Sequence, residues 1–270
     1  MSGAEIVLLA VTGFLAGIFG TMIGIGGGII FVPVFLLFFH FSPQQAVGTS
    51  LCAVFFNALS GSISYLRQKR VDIKAGWKFA LATLPGVWLG AWLSGYFTPR
   101  ILGLAFTFLL IAVSIFIFLR VEPHQKDKGR ERNTRTLVDF RSEVFRYSPR
   151  EGTGIVISFF VGIISSLMGI GGGIIRVPAL IFLLGFPVHI ATATSHFVLA
   201  ISTFSGSVFH FLLGNILILP AVVVAASAIP GAQLGAALSR RVKSRLIMRL
   251  LAAVLLLVAI RLLLKFTEVY

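Results

Sequence analysis

The run Gly24-Ile25-Gly26-Gly27-Gly28-Ile29-Ile30-Phe31-Val32-Pro33 interrupts a long apolar segment near the start of the chain. A nearly identical run, Gly169-Ile170-Gly171-Gly172-Gly173-Ile174-Ile175-Arg176-Val177-Pro178, follows at a constant distance of 145 residues. A glycine inside a helix costs about 1 kcal/mol relative to alanine, so three in succession predict a helix break. At membrane depth, such a break is tolerated only where the freed backbone is buried in protein or lines a cavity. The two runs are therefore the first candidates for a functional site.

The composition predicts an all-α polytopic membrane protein whose surroundings are a lipid bilayer. The 270 residues are 57% hydrophobic and only 12% charged, and the mean hydropathy is +0.98. Soluble domains carry about 25% charged residues. Apolar runs long enough to cross a bilayer, about 20 residues each, recur along the chain. The strictly alternating segments of about 10 residues that form a membrane β-barrel are not seen.

The net charge of +14 does not point to nucleic acid as a partner. Most Lys and Arg residues lie in short loops and one central linker, where the positive-inside rule expects them. Cys52 is the only cysteine, which excludes a disulfide within the chain and a cysteine-based metal cluster. We expect no metal and no cofactor. The N-terminus has no basic stretch before its apolar run, so we expect it to be retained.

The second half of the sequence repeats the first without an insertion. Thr194-Ser195 corresponds to Thr49-Ser50, and Pro230-Gly231 corresponds to Pro85-Gly86. We predict two homologous four-segment repeats, 1–120 and 153–270, joined by a basic cytoplasmic linker, 121–152. Internal duplication of this kind is typical of secondary transporters, whose substrate site lies at the repeat interface. The linker is expected to be a solvated connector, with some helix or a role in docking a partner left open.

The four predicted segments of the first repeat are 4–39, broken at the glycines, then 44–66, 77–97 and 100–119. The basic loops indicate how the repeats are oriented. The first repeat has its basic turn at 67–78, between the second and third segments, whereas the second has basic residues at 240–245, between the last two. If the first segment of each repeat is re-entrant at the glycines, the repeats are inverted and all basic loops lie in the cytoplasm. We favour inverted repeats, and parallel repeats remain the alternative.

The acidic residues exclude several classes of substrate. There are nine, and none falls in the interior of a predicted apolar span: Glu5, Asp72, Glu122, Asp127, Glu131, Asp139, Glu143, Glu151 and Glu268. Transporters of cations commonly use intramembrane carboxylates as ligands or proton relays. Their absence argues against a cation as substrate and favours an anion.

The helices that restart after the glycine runs could bind that anion. The candidate residues are Gly26, Gly27 and Gly28 in the first run and Gly171, Gly172 and Gly173 in the second. A helix N-terminus exposes free N–H groups and a positive dipole end, which together favour anions. Two such ends meeting near the membrane centre would bind a small oxyanion. Close packing of helices through small residues is the alternative.

Hydroxyl groups supply further candidates. Thr49, Ser50, Thr194 and Ser195 lie just inside their helices in both repeats, and Asn57 and Ser202 lie deeper. These groups could donate to an anion. Buried Ser and Thr commonly bond instead to carbonyls of their own helix.

Arg176 takes the place of Phe31 in the second repeat. It could pair with the anion inside the membrane or extend to the interface. His196 is a candidate for proton handling, or else a satisfied core residue. No nucleophile–base arrangement and no Walker loop appears, so we predict neither an enzyme nor an ATPase. One alternative is a channel-like or sensor protein with a docking linker. Another is a membrane enzyme that uses Cys52 or His196.

The doubled Gly-x-Gly-Gly-Gly-x-x-x-x-Pro run, each followed by Thr-Ser 16 residues after the proline, resembles the TauE/SafE sulfite-exporter family. The resemblance covers essentially the whole chain outside the linker. It implies a multi-pass transporter of the cytoplasmic (inner) membrane of bacteria that moves sulfite, a sulfonate or another organosulfur anion. Together with the repeats, it predicts alternating access of a small anion between the two glycine runs. The identity of the anion, the direction of transport, the coupling ion and a homo-oligomeric state stay open.

Overall fold

The computed structural model describes residues 2–97, 99–119 and 134–242, with scattered helical positions between 246 and 263. The described part contains nine α-helices: α1 (Gly3–Ile23), α2 (Gly28–Leu37), α3 (Pro43–Arg67), α4 (Ile73–Leu93), α5 (Pro99–Leu119), α6 (Glu151–Met168), α7 (Gly173–Pro178), α8 (Val188–Leu212) and α9 (Ile218–Ser239). A π-helical turn, Ala179–Leu183, continues α7. Among the described helices, α1, α3, α6, α8 and α9 are long and apolar enough to span a membrane. The chain is therefore a helical, polytopic membrane protein.

Local capping signals set the helix starts. Ser42 accepts from the N–H of Gln45, whose side chain accepts from the N–H of Ser42, and Pro43 occupies the first turn of α3. Asp72 caps α4 by accepting from the N–H of Ala75 at 3.0 Å. Because of this cap, α4 starts four residues before the predicted position of 77. It ends at Leu93 rather than at the predicted position of 97.

Corresponding helices in the two halves begin 145 residues apart: α2 and α7 at 28 and 173, α3 and α8 at 43 and 188, and α4 and α9 at 73 and 218. Each half also packs on the other in the same way, since α1 packs on α9, α6 packs on α4, and α3 packs on α8. A Cβ atom placed on Gly17 of α1 would lie 2.7 Å from the carbonyl oxygen of Ala228, and one on Gly162 of α6 would lie 2.4 Å from that of Thr83. Glycine is therefore required for this close helix packing.

Three basic segments meet at one end of the helix bundle. Arg70, in the α3–α4 loop, pairs with Asp139 of the linker at 2.9 Å. Gln68 donates to the carbonyl of Ala236 near the end of α9 at 3.1 Å. Arg240 lies over the Phe140 ring, 5.4 Å from its centroid. The α3–α4 loop, the linker and the end of α9 thus share one face of the molecule, while Lys243 and Arg245 lie outside the described residues.

The described part of the linker forms a β-hairpin. Strand β1 (Arg135–Val138) pairs antiparallel with β2 (Val144–Tyr147), and Arg135 is opposite Tyr147. The sequence had left helix open in this segment, so the strands are a correction, and the described fold is not entirely α. The hairpin forms because its charged side chains find fixed partners: both carboxylate oxygens of Asp72 accept from Arg135, at 2.7 and 2.6 Å. The division at 1–120, 121–152 and 153–270 stays a prediction.

Two of the described acidic residues lie inside helices rather than between them, and both are at helix ends. Glu5 is in the first turn of α1, where it forms a capping box with Ser2. Glu151 is the first residue of α6, where its charge favours the positive end of the helix dipole. Glu122, Asp127, Glu131 and Glu268 lie outside the described residues.

Candidate functional site

The first glycine run forms a sharp reversal between α1 and α2. Gly24, Gly26 and Gly27 have φ angles of 90°, 83° and 85°, a left-handed conformation that favours glycine. The N–H groups of Gly24, Ile25 and Gly26 all donate to the carbonyl of Gly20, at 3.0, 2.8 and 3.0 Å. The end of α1 is therefore satisfied within the turn, and the chain changes direction within a few residues.

The second run repeats this geometry, with φ angles of 71°, 78° and 81° at Gly169, Gly171 and Gly172. Each break lies against the helix that precedes it. A Cβ atom on Gly27 would lie 3.0 Å from the carbonyl oxygen of Ala16, and one on Gly172 would lie 2.8 Å from the Val161 side chain. The Arg150 N–H, just before α6, donates to the carbonyl of Leu184, just after the π-helical turn, at 3.4 Å. The residue before α6 and the residue after this turn are therefore in contact.

The two breaks are in direct contact. A Cβ atom on Gly28 would lie 2.7 Å from the carbonyl oxygen of Ile170, and one on Gly173 would lie 2.6 Å from that of Gly24. Gly26 and Gly171 both pack against the side chains of Val54 and Leu199, which occupy corresponding positions on α3 and α8. The N-terminal ends of α2 and α7 are thus brought to the centre of the bundle, and no side chain caps either of them.

The Thr-Ser pairs connect the two halves. Ser50 donates to the carbonyl of Gly169 at 2.7 Å, and Ser195 donates to that of Gly24 at 3.0 Å. Thr49 accepts from the N–H of Leu217 at 3.1 Å, and Thr194 accepts from the N–H of Asp72 at 3.0 Å. All four hydroxyls therefore bond to the opposite half, an arrangement that differs from both alternatives raised by the sequence. Their role toward a substrate stays a prediction.

Arg176 is a buried cation that has no countercharge among the residues that the structure describes. Its residue is 2% exposed, and its one hydrogen bond goes from Nη2 to Oγ1 of Thr83 at 3.2 Å. Thr83 Oγ1 in turn donates to the carbonyl of Phe79 at 2.6 Å. Nε and Nη1 of Arg176 have no hydrogen-bond partner among the described residues. A buried charge in this state is costly.

The described acidic residues are all engaged elsewhere: Glu5 with Ser2, Asp72 with Arg135 and Tyr147, Asp139 and Glu143 with Arg70, and Glu151 with Lys78 and Arg135. Within the described residues, none of them reaches Arg176. The guanidinium therefore has no countercharge in this part of the chain.

A second polar cluster lies beside the first break. Thr21 Oγ1 donates to Oδ1 of Asn57 at 3.2 Å and lies 3.1 Å from Nε2 of His196. Since the Thr21 proton is given to Asn57, its oxygen accepts from the His196 Nε2–H. Tyr65 donates to the carbonyl of Thr21 at 2.8 Å. Sequence reasoning had chosen Asn57 and His196 but missed Thr21 and Tyr65.

The polar cluster has unmet hydrogen-bonding capacity, because Nδ2 of Asn57 and Nδ1 of His196 have no partner among the described residues. The position of Thr21 three residues before Gly24, the first glycine of its run, was the signal available in the sequence. Ser202 bonds to the carbonyl of Leu199 in its own helix at 3.2 Å, and Cys52 is half-buried.

Comparison with known proteins places this geometry in a family. The model of the sulfite exporter TauE/SafE family matches residues 9–262. A probable membrane transporter protein of Bacillus subtilis (strain 168) is 36% identical over 263 residues, which are 95% of this chain and 96% of the relative. A probable membrane transporter protein of Methanocaldococcus jannaschii is 26% identical over 92% of this chain and 91% of its own length. No solved structure matches the chain significantly.

These relatives are membrane transporters, which removes the alternative of an enzyme that uses Cys52 or His196. The breaks, the buried cation and the spanning helices agree with that class. The chain belongs to the TauE/SafE sulfite exporter family of membrane transporters.

Proposed function

We propose that the protein is a secondary transporter that moves a small anion, sulfite or an organosulfur or sulfonate anion, across the cytoplasmic (inner) membrane by alternating access. The observation that carries the proposal is Arg176, a buried guanidinium with two unpartnered nitrogen atoms and no carboxylate partner among the described residues. The family description, a sulfite exporter, supports the choice of anion. The printed names of the relatives give the activity as membrane transport and specify no substrate.

The anion would bind between Arg176 and the start of α7. Arg176 lies in the first turn of this helix, since its N–H donates to the carbonyl of Gly172 at 3.0 Å. The dipole of α7 adds to the charge of Arg176. The N-terminal end of α2 is in contact with this break through Gly28 and Ile170 and would add a second set of N–H donors.

The chemistry of the ligand follows from the donors. A guanidinium presents parallel N–H groups that match two oxygen atoms of an oxyanion, and it is less strongly hydrated than an ammonium. Sulfite and sulfonate groups each offer such oxygen atoms on one sulfur. In this scheme Ser50, Thr49 and their counterparts Ser195 and Thr194 hold the site together, while Asn57 and His196 line its cytoplasmic side.

The membrane arrangement we propose has inverted repeats with re-entrant first segments. The shared face of the α3–α4 loop, the linker and the end of α9 supports it, because the positive-inside rule assigns all three to the cytoplasm. The hydrogen bond from Arg150 to Leu184 supports a re-entrant path for α6 and α7. The first segment would then enter from the opposite face.

The test is transport by the purified protein in liposomes. Sulfite and methanesulfonate should cross the membrane of vesicles that contain the protein faster than that of protein-free vesicles. A cation of similar size should cross both at the same rate. Arg176→Gln should abolish this flux while the protein still inserts and folds. If neither anion binds nor moves, the proposed substrate class is wrong, and if Arg176→Gln transports normally, the proposed site is wrong.

A further inference from the structure

We infer that transport is an exchange, in which the carrier returns across the membrane only with an anion bound. This inference rests on the proposed function and adds the mode of transport and the counter-substrate, a second small anion of the same class. Its basis is the electrostatic state of Arg176 when the site is closed from both ends.

Arg176 is shielded from both ends of the bundle, since its residue is 2% exposed, and a hydrogen bond joins the two halves at each end. At the hairpin end, the start of α4 is fixed to α8 by the bond from the Asp72 N–H to Thr194, and Asp72 is also bound by Arg135 of the hairpin. At the other end, the start of α9 is fixed to α3 by the corresponding bond from Leu217 to Thr49. Alternating access requires passage through a state of this kind, closed to both sides.

In this closed state, Arg176 is almost fully buried and its guanidinium has no countercharge among the described residues. An unpaired buried charge is strongly unfavourable, whereas a charge that is paired and hydrogen-bonded is tolerated. A bound monoanion neutralises Arg176 and satisfies Nε and Nη1. The loaded carrier therefore reaches the closed state more readily than the empty one.

An arginine at this position also prevents the empty carrier from returning as a neutral species. A lysine could lose its proton on burial and let the empty carrier pass as a neutral species, because the pKa of lysine shifts readily when it is buried. An arginine stays protonated in proteins. The positive charge of the empty carrier is thus permanent, and only an anion removes it.

The experiment measures efflux of radiolabelled sulfite from proteoliposomes into buffer that contains or lacks unlabelled sulfite. Potassium and valinomycin hold the membrane potential at zero, so that charge accumulation does not limit net efflux. External sulfite should accelerate efflux at least about tenfold, because the empty return is the slow step. Methanesulfonate outside should accelerate it as well if both anions share the site.

Arg176→Lys is the matched variant, and it should bring the ratio of the two efflux rates toward one, whatever its absolute rate of efflux. An efflux rate of the unaltered protein that does not depend on external anion overturns the exchange, and the proposed transport function then stands. Absence of any sulfite or methanesulfonate binding and flux overturns the proposed function itself. If Arg176→Lys does not fold, the ratio for the unaltered protein still decides.

Discussion

The two glycine breaks share a backbone but differ in what they carry. Both have three left-handed glycines, both are held by a serine from the opposite half, and both pack on Val54 and Leu199. One turn beyond the break, however, the first half has Phe31 and the second has Arg176. Phe31 is fully buried and stacks on Phe35, with ring centroids 6.3 Å apart. Arg176 is also buried, but within the described part of the chain its guanidinium has one hydrogen bond, to Thr83.

This difference distinguishes the symmetric backbone, which the duplication supplies, from the single buried cation, which the proposed function requires. The repeated backbone builds a symmetric framework in which each half completes the other. A symmetric pair of arginines would place two unpaired charges at the centre of the bundle, at a cost that one anion could not offset. A single cation beside an apolar counterpart suits one monoanion.

The largest effect is expected from Arg176→Leu. Anion binding should be lost entirely, and the empty protein should become more stable by about 1–4 kcal/mol, because a buried unpaired charge is replaced by an apolar side chain. Thermal unfolding in detergent, with and without sulfite, measures both consequences. The matched change in the other half, Phe31→Leu, should lower stability by about 1 kcal/mol and keep the sulfite-dependent rise in Tm.

The opposite sign of these two stability changes is the decisive feature. A lower Tm for Arg176→Leu would mean that Arg176 has a structural partner and is not a vacant anion site. Loss of the sulfite effect in Phe31→Leu would mean that the two breaks contribute equally, contrary to the asymmetry proposed here.

The next effect concerns the hairpin. Its Arg135 binds Glu151 at the start of α6, the helix before the second break. The first break has no such hairpin among the described residues. Asp139→Asn should lower stability by about 3 kcal/mol, because it leaves Arg70 buried without its countercharge. Side chains of both residues are almost fully buried, at 3% and 0% exposure. Limited proteolysis within the hairpin and the Tm of the whole protein measure the change. Glu143→Gln is the control, since that carboxylate is 57% exposed and lies 4.0 Å from Arg70.

The same ion pair gives a pH dependence. Burial opposes ionisation of Asp139, but the hydrogen bond from Arg70 and the N–H groups of Arg141 and Glu143 prevail and hold its pKa below the ordinary value of 3.8. Because the folded pKa is lowered, the stabilisation is complete above pH 3.8 and is lost as the pH falls through the folded pKa. The loss of stability in acid should be smaller in Asp139→Asn than in the unaltered protein. An equal loss in both proteins would contradict the assignment to Asp139.

A smaller effect is expected where the breaks touch. Gly173→Ala should lower stability by about 1–3 kcal/mol, because the added Cβ would meet backbone atoms of Gly24 and Ile25 at 2.6 Å. Gly28→Ala should do the same against Ile170, since the contacts correspond. Gly152→Ala is the control, because nothing lies within 4 Å of its Cβ. Unequal changes in Tm for Gly28→Ala and Gly173→Ala would contradict the symmetry of the framework.

Periodicity and repetition in the sequence predicted the spanning helices and the positions of the breaks, because glycine acts locally on the backbone. The hairpin was missed, because a charged linker has the composition of a solvated segment and only partners such as Asp72 order it. The hydroxyl bonds were missed for a similar reason: Ser50 and Gly169 are far apart in sequence and meet only when the halves dock. Arg176 was identified as a candidate, but its lack of a partner could be seen only in three dimensions.

The smallest effect is expected from the serines that join the halves. Ser50→Ala and Ser195→Ala should each lower stability by about 1 kcal/mol, the net worth of one buried hydrogen bond. The two changes should be equal if the framework is symmetric. If the two breaks support each other, the double variant should lose less stability than the sum of the two single variants, because each single change already removes their coupling. Binding of sulfite should weaken little in either single variant, because both hydroxyls donate to carbonyl groups of Gly169 and Gly24 rather than into the Arg176 site. A selective loss of sulfite affinity in Ser195→Ala, without a change in Tm, would instead assign Ser195 to the anion and extend the asymmetry of Arg176 to the framework itself.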